Sequence, residues 1–261
     1  MDTPPNKQTS YALEIGVAVG YGVLFCGMIV ACTALSMIFL RKPVAAQTVG
    51  IANLPPLTPS PHVSAAVLDQ APKLLDENFD DDRNDWIDAS AWGGTGSSRE
   101  DVHDGKLFFA SLQTNSGLPY VLATCKPCGS LNQPYFLAAD IATDRTTDQA
   151  YGIVFHKGGN PGSFYAFMID EETKNYYVLA ADNWMLRTSG ESDLIQSYPA
   201  SNTLGIYVQE DRVEFYINQK IVDSYQETGN SFETGAIGFC VDGPGFTMIA
   251  DNLHIYEMAG Q

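Results

Sequence analysis

Basic side chains are scarce in this sequence of 261 residues, which has 14 Lys and Arg against 31 Asp and Glu and a net charge of −17. From residue 71 onward the numbers are 11 and 28, so the whole negative excess lies in the C-terminal part of the chain. Such a surface repels phosphate backbones and anionic lipids. We therefore expect no nucleic acid partner, and the acidity is itself typical of a soluble surface.

Cysteine and histidine are also sparse, with five and four residues respectively. Cys125 and Cys128 form a lone CxxC without a second pair and without His at ligand spacing, which argues against zinc. The motif lies between strand-like segments and does not open a helix, unlike a thioredoxin motif. We expect a disulfide between Cys125 and Cys128 in an oxidising compartment, with two reduced buried thiols as the alternative.

Charge is absent from residues 15–40, an apolar run of 26 residues. A run longer than about 18 such residues can cross a bilayer as a helix. A lipoprotein signal with Cys32 as the lipidated residue is an alternative, but the chain stays apolar after Cys32. A cleaved signal peptide normally has a shorter apolar core. The sequence thus predicts an uncleaved transmembrane helix at 15–40 after a short tail, 1–14.

The segment that follows the apolar run, residues 41–75, is rich in Pro, Ala, Ser and Thr and has no periodicity. This composition predicts an extended, semi-rigid linker. Residues 76–261 then form a series of short alternating segments, bounded by Gly, Pro, Asn or Asp, with no long 3.6-residue period. The pattern predicts one all-β domain of about a dozen strands, arranged as a sandwich. The segments are 106–111, 119–125, 134–143, 151–156, 163–170, 175–181, 203–209, 212–218, 220–226, 236–242 and 246–258.

The order of these segments is similar to that of a known family. The matching stretches are ENFDDDRNDW (77–86), YGIVFH, SFYAFMI, NYYVLA, VEFYINQKIVDSY (213–225), TGAIGFCVDGPG (234–245) and IADNLHIYE (249–257). They resemble the concanavalin A-like lectin/glucanase domains of the laminin-G and 3-keto-disaccharide-hydrolase-like type, found in bacterial extracytoplasmic proteins. The resemblance covers about residues 75–258 and implies a concanavalin A-like jelly roll. One departure is Asn218-Gln219, where the family usually has Asn-Gly, so we expect a strained type I′ turn or a different turn.

Catalytic carboxylates are missing from the pattern. A retaining glucanase of this family carries E-x-D-x-x-E on one strand, since two carboxyl groups must face one sugar about 5–5.5 Å apart. The nearest match, residues 191–196, ends in Gln196 and is interpreted as a loop. No Ser stands in a nucleophile elbow. We expect a protein that is not an enzyme.

A calcium site is one interpretation of the acidic residues near the start of the domain. Calcium takes 6–8 oxygen ligands, and the closing strand of a jelly roll often lies beside the first. The alternative is a solvated turn capped by Asp and Asn side chains. The residues predicted for calcium are Asp80, Asp81, Asp82, Asp85 and Asp251.

Aromatic residues in the middle of the domain predict a sugar-binding surface, because exposed rings stack on the apolar faces of pyranoses. The predicted ligand-binding residues are Tyr165, Tyr176, Asp182, Asn183 and Trp184. Alternation along a strand places neighbours such as Tyr176 and Tyr177 on opposite faces, so core packing is the alternative for each ring. Trp86 and Trp92 are predicted to cover the sandwich core.

Together these features predict a single-pass membrane protein whose domain binds a glycan or a protein without catalysis. Arg41 and Lys42 after the helix favour a cytoplasmic domain, but long domains translocate largely regardless of charge. The family resemblance and the CxxC favour an extracytoplasmic domain. One competing class is an accessory subunit of a membrane complex, with Gly16 and Gly20 on a helix-packing face. A glycoside-acting enzyme is the third.

Overall fold

The computed structural model of the protein describes residues 63–84, 86, 98–112, 121–125, 128, 131, 134–157, 164–180, 185–209, 212–226 and 236–259. These residues form one short helix and fourteen strands. They are α1 (Ala65–Leu68), β1 (Lys73–Glu77), β2 (Ser98–His103), β3 (Lys106–Ser111), β4 (Val121–Cys125), β5 (Tyr135–Thr143), β6 (Tyr151–Lys157), β7 (Tyr165–Asp170), β8 (Asn175–Ala180), β9 (Met185–Glu191), β10 (Asn202–Gln209), β11 (Arg212–Ile217), β12 (Lys220–Gln226), β13 (Ala236–Val241) and β14 (Met248–Glu257).

The strands form two antiparallel sheets. The eight-stranded sheet has the order β12-β11-β10-β5-β14-β3-β2, and β1 also pairs with β14. The six-stranded sheet has the order β4-β13-β6-β7-β8-β9. The closing strand β14 pairs with β5 along one edge, and on its other edge it pairs first with β3 and then with β1. Strands far apart in sequence therefore meet in the middle of the eight-stranded sheet.

The core lies between the sheets and follows the two-residue period of the strands. In β5 the side chains of Leu137, Ala139 and Ile141 are fully buried, while the alternate positions face outward. Phe79, Trp86 and Phe239 pack together at one end, with the Trp86 ring 5.5 Å from each of the other two. The prediction that Trp86 covers the core is confirmed, whereas Trp92 lies outside the described residues.

The predicted all-β sandwich is confirmed, with three strands that the sequence pattern did not predict: β1, β2 and β9. Glu191 is the last residue of β9, which corrects its interpretation as part of a loop. Strand β1 begins at Lys73, within the predicted linker.

In the part of the chain that the structure describes, no helix is long and apolar enough to span a membrane. The apolar run 15–40 lies outside that part.

The residues just before β1 pack against the outward side of the eight-stranded sheet. We call residues 63–72 the strap. Ser64 caps α1, its hydroxyl accepting a hydrogen bond from the Val67 amide at 3.4 Å. Val63, Leu68 and Ala71 contact an outward cluster of Phe136, Tyr207, Tyr216 and Met258. This contact attaches the strap to the domain although no residue of α1 is fully buried.

The hairpin between β11 and β12 retains a tight turn without glycine. Asn218 and Gln219 have φ angles of 49° and 67°, the left-handed conformation of a type I′ turn. Asn218 is fixed there because its side chain accepts from the Thr203 amide at 2.8 Å and donates to the Leu194 carbonyl at 2.7 Å. The described residues provide no hydrogen bond of this kind for Gln219, so Gln219 keeps the unfavourable φ angle without compensation.

Cys125 and Cys128 form the predicted disulfide, with Cα atoms 5.4 Å apart. Both are buried at the end of β4. Cys240 is a free, buried thiol, and burial raises its pKa. The disulfide therefore closes a short loop at an edge strand of the six-stranded sheet.

Candidate functional site

Two of the aromatic residues predicted to contact a ligand lie toward the core. The Tyr176 side chain is 7% exposed, and its hydroxyl is 3.2 Å from Asp223 Oδ2 and 3.3 Å from the Val222 carbonyl, so it links the two sheets. Burial, with the negative charge of Asp223, raises the pKa of Tyr176 to about 12. Tyr165 is half-buried and stacks on Phe155 at 5.5 Å. The prediction that Tyr165 and Tyr176 are exposed to a ligand is therefore corrected, because both rings lie on the side of β7 and β8 that faces the core. Asp182, Asn183 and Trp184 lie outside the described residues.

The acidic turn after β1 forms a set of local hydrogen bonds. Asp81 pairs with Arg83 at 2.8 Å, Asp82 accepts from the Trp86 amide at 2.7 Å, and Asp80 accepts from the Asn78 side chain at 2.6 Å. The Asp82 bond to a backbone amide, with a second one from the Arg83 amide to Asp81 at 3.0 Å, is the type of contact in the alternative interpretation. Within the described ranges no group of three or more His, Cys, Asp or Glu side chains is placed to hold a metal ion. Asp85 lies outside these ranges, and calcium at this turn stays a prediction.

A groove on the outward face of the eight-stranded sheet brings together residues that the sequence pattern did not single out. We call this face the outer face and this groove groove one; its volume is about 290 Å³. Its apolar lining includes the rings of Phe136, Tyr216 and Tyr256, and the strap forms one wall. Its polar lining is Thr203, Gln219 and His254 on the sheet, with Ser64 and Asp69 on the strap. The Phe136 and Tyr216 rings are buried and form the floor of the groove, whereas Tyr256 is half-buried and lies beside the hydrogen-bonding groups.

The Tyr216 ring is held by a buried polar network. Its hydroxyl donates to Glu214 Oε2 at 2.6 Å, and Arg212 pairs with Glu214 Oε1 at 3.0 Å. The Glu214 side chain is only 4% exposed, so these two donors compensate a buried carboxylate. Burial and the hydrogen bond to Glu214 raise the pKa of Tyr216. The ring meets Phe136 edge-on at 5.7 Å. One side of groove one is therefore fixed by contacts of the sheet itself.

The Tyr256 ring is held from a different direction. Lys73 Nζ lies 5.9 Å from its centroid, in a cation–π contact, and His254 meets it edge-on at 6.1 Å. Lys73 also donates a hydrogen bond to Asp76 at 3.1 Å, and His254 Nδ1 is 2.7 Å from Asp76 Oδ1. The bond from Lys73 and the contact with His254 lower the pKa of Asp76. Strand β1 thus supplies the groups that orient Tyr256.

A second groove lies on the same outer face, near the edge formed by β2 and β3. We call it groove two; its volume is about 210 Å³. The His103 ring stacks on Phe108 at 4.1 Å and is 3.3 Å from Asp101 Oδ2. Arg99 also lines groove two, and its guanidinium has no ion-pair partner within the described part of the chain. The groove therefore offers donors, an acceptor and an aromatic pair.

Two carboxylates lie between the grooves. Asp140 of β5 and Asp251 of β14 are directly opposite each other in the sheet. Asp140 accepts hydrogen bonds from the Thr203 hydroxyl and, at 3.0 Å, from the Asn252 side chain. Asp251 Oδ1 accepts from the Asn252 amide at 2.7 Å. The strip between the grooves is thus polar and rich in acceptors.

No local sequence signal marks groove one. Phe136, Tyr216 and Tyr256 lie on β5, β11 and β14, which are distant in sequence and become near neighbours only through the sheet order. The alternation of each strand does show that one side of it faces outward. Which outward rings share a groove depends on topology.

Comparison with known proteins gives the fold. No protein-family model and no curated protein matches the chain. Solved structures do match: a Bacillus subtilis protein of unknown function with a galectin-like fold has TM-score 0.57 and 11% identity over 72% of this chain and 97% of that one. A structure described with endo-acting O-glycanases of the human gut microbiota has TM-score 0.54 and 13% identity over 72% and 100%. A prokaryotic β-1,3-1,4-glucanase (lichenase) from a mouse hindgut metagenome has TM-score 0.52 and 12% identity over 71% and 99%. The domain is a concanavalin A-like jelly roll.

Proposed function

We propose that the domain binds a glycan in groove one and does not hydrolyse it. The observation that carries this proposal is the half-buried Tyr256 ring beside Thr203 and His254, above a floor that the buried Phe136 and Tyr216 rings form. Aromatic rings bury the apolar faces of sugar rings, and the neighbouring polar groups bond to hydroxyls. The rings of Tyr216 and Tyr256 are held by Glu214 and Lys73, so little side-chain freedom is lost on binding.

The fold supports a glycan as the ligand class. The similar structures include a β-1,3-1,4-glucanase and one described with O-glycanases, and both names refer to carbohydrate. Those names describe the other proteins. For this chain the argument depends on the groove.

Hydrolysis is not part of the proposal. Breaking a glycosidic bond needs one carboxyl group as a proton donor and a second as nucleophile or base. Both oxygens of Asp140 accept hydrogen bonds from Thr203 and Asn252, and Asp251 accepts from the Asn252 amide. These contacts suit two structural carboxylates.

The proposed location is the extracytoplasmic side of a membrane, anchored by residues 15–40. The apolar run supports the anchor, and the Cys125–Cys128 disulfide supports an oxidising compartment. Protease added to spheroplasts should release a fragment that begins between residues 41 and 62. Complete protection until lysis would place the domain in the cytoplasm.

The test of binding uses the full chain in detergent on an array of neutral and acidic glycans. Tyr256→Ala should weaken the glycan that binds by about 1–3 kcal/mol, since it removes one stacking ring. Tyr198→Ala is the matched control, because Tyr198 is 46% exposed and lies outside both grooves. Hydrolysis of the bound glycan would overturn the non-catalytic part of the proposal. Absence of binding, with stoichiometric co-purification of integral membrane proteins, would favour the accessory-subunit class.

A further inference from the structure

Grooves one and two open on the same outer face, on either side of the Asp140–Asp251 pair. In β5 the outward positions run from Ala138, which lines groove one, through Asp140 to Ala142. Ala142 is opposite Ile249 of β14, and Ile249 is opposite Phe108 of β3, which lines groove two. The pleat therefore connects the two grooves by a continuous row of outward side chains.

We propose that both grooves bind one ligand, a linear neutral oligosaccharide that crosses the outer face. This inference rests on the proposed function and adds the length and charge class of the ligand. From Ala138 to Phe108 the path covers about 13 Å along the strands and about 10 Å across them. A single sugar ring or a disaccharide fills one groove only, whereas a longer chain reaches both.

The strip between the grooves has the chemistry to contact the middle of such a chain. Asp140 and Asp251 lie along this path, and their oxygens, although they accept from Thr203 and Asn252, retain further lone pairs for hydroxyl donors. Hydroxyls are donors as well as acceptors, so carboxylates suit them. An anionic sugar would instead face two negative charges on a chain of net charge −17. The ligand class that fits is neutral.

Groove two supplies the second contact region. Arg99 is exposed and contributes donors, Asp101 contributes an acceptor, and the stacked pair of His103 and Phe108 contributes apolar area. The acceptor and the donor are on neighbouring outward positions of one strand, about 7 Å apart, which suits hydroxyls at opposite ends of one sugar ring or on two successive rings. Groove two alone lacks the three-ring lining of groove one, so we assign it the weaker part of the binding.

The experiment measures the dissociation constant of the full chain for ladders of cello-, laminari-, malto- and manno-oligosaccharides, from disaccharide to hexasaccharide. For the series that binds, affinity should rise at least tenfold with length. Phe108→Ala and Arg99→Gln should each abolish most of that rise and leave the disaccharide constant unchanged. Tyr256→Ala should weaken every length by a similar factor. Leu186→Ala, at an exposed position of the six-stranded sheet, and Arg83→Gln, in the acidic turn, are the matched controls.

The outcomes separate the two proposals. Equal constants for disaccharide and hexasaccharide, or a rise that survives both Phe108→Ala and Arg99→Gln, would overturn the extended site and leave the glycan-binding function in place. Tighter binding of oligouronates than of neutral chains of the same length would overturn the charge class. If no ladder and no array glycan binds, the proposed function itself fails, and the extended site fails with it.

Discussion

The two sheets of the sandwich differ most on the sides that face away from the core. The outer face of the eight-stranded sheet carries two grooves, with exposed Arg99, His103 and Gln219. The corresponding face of the six-stranded sheet carries a cluster of apolar side chains without accessible surface, Val154, Ala166, Met168 and Cys240, while Tyr177 is half-buried and Leu186 is exposed. Among the described residues, we call the face with the grooves the open face and the mostly buried one the closed face.

The burial patterns of individual strands show the difference between the two faces. In β7 five consecutive positions are buried and four of them, Ala166 to Ile169, are apolar, as in a strand covered on both faces. In β14 buried and half-buried or exposed positions mostly alternate, which is typical of a strand with one side toward water. Strands of one antiparallel sandwich can therefore show either pattern, and the pattern indicates which sheet can present a binding surface.

The largest expected effect on stability comes from a charge introduced on the closed face. Met168→Asp should lower the free energy of unfolding by about 3–5 kcal/mol, because it buries an unpaired charge and removes a packed side chain. The matched change on the open face, Ala110→Asp at a half-buried position of groove two, should cost less than about 1 kcal/mol. Urea denaturation measures both. Equal stability of the two variants would show that the two faces do not differ in burial.

A smaller effect on stability is expected at the hairpin between β11 and β12, beside groove one. Gln219→Gly should raise the free energy of unfolding by about 0.5–1 kcal/mol, since glycine adopts a φ of 67° without steric cost and only part of the gain is lost to unfolded-state entropy. Because Gln219 lines groove one, the same variant should weaken glycan binding. Gln219→Asn, which tolerates this conformation partly, should fall between. A loss of stability in Gln219→Gly would mean that the Gln219 side chain makes contacts that outweigh its backbone strain.

The smallest effect concerns the inward side of β2, behind groove two. Burial raises the pKa of Glu100, and its Oε1 has no hydrogen-bond partner within the described residues. Since the folded-state pKa lies above the ordinary value of 4.5, the folded chain binds the proton more tightly. This contribution to stability is fully present below about pH 4.5 and is lost as the pH rises through the folded-state pKa.

Glu100→Gln removes that titration. The variant should be more stable than the parent at pH 7 by less than about 1 kcal/mol, because Glu100 is only half-buried and solvent screens its charge. The advantage should shrink toward pH 4. Urea titrations at both pH values measure it, with the exposed Glu257→Gln as control. A larger advantage at pH 4 than at pH 7 would contradict the assigned direction.

The sequence predicted the architecture better than the site. Apolar alternation located eleven of the strands, because burying one side of a strand imposes a two-residue period. It missed β2, whose residues SREDVH are mostly polar because one side of the strand lines groove two and because β2 is the edge strand of its sheet. It missed β1 because KLLDE directly follows a segment with linker composition.

For the site, alternation fixed which residues share a side of a strand but not which side faces the core. Tyr176 was assigned outward for this reason, and it faces the other sheet. The rings of groove one were not assigned, since Phe136, Tyr216 and Tyr256 are neighbours only through the order of β11, β10, β5 and β14. Sheet order depends on long-range pairing, which a single strand does not encode. The CxxC, in contrast, is a local pair, and its disulfide was predicted.

The strap has a practical meaning for any soluble version of this domain. A fragment trimmed to the apparent family boundary near residue 75 would cut β1 in two and discard Val63, Leu68 and Ala71. It would also lose Lys73, which sits against Tyr256. Such a fragment would still contain most of the sandwich and could pass as folded by circular dichroism, yet groove one would lack a wall and an oriented ring. An expression boundary at or before residue 62 keeps the folding unit and the binding unit the same.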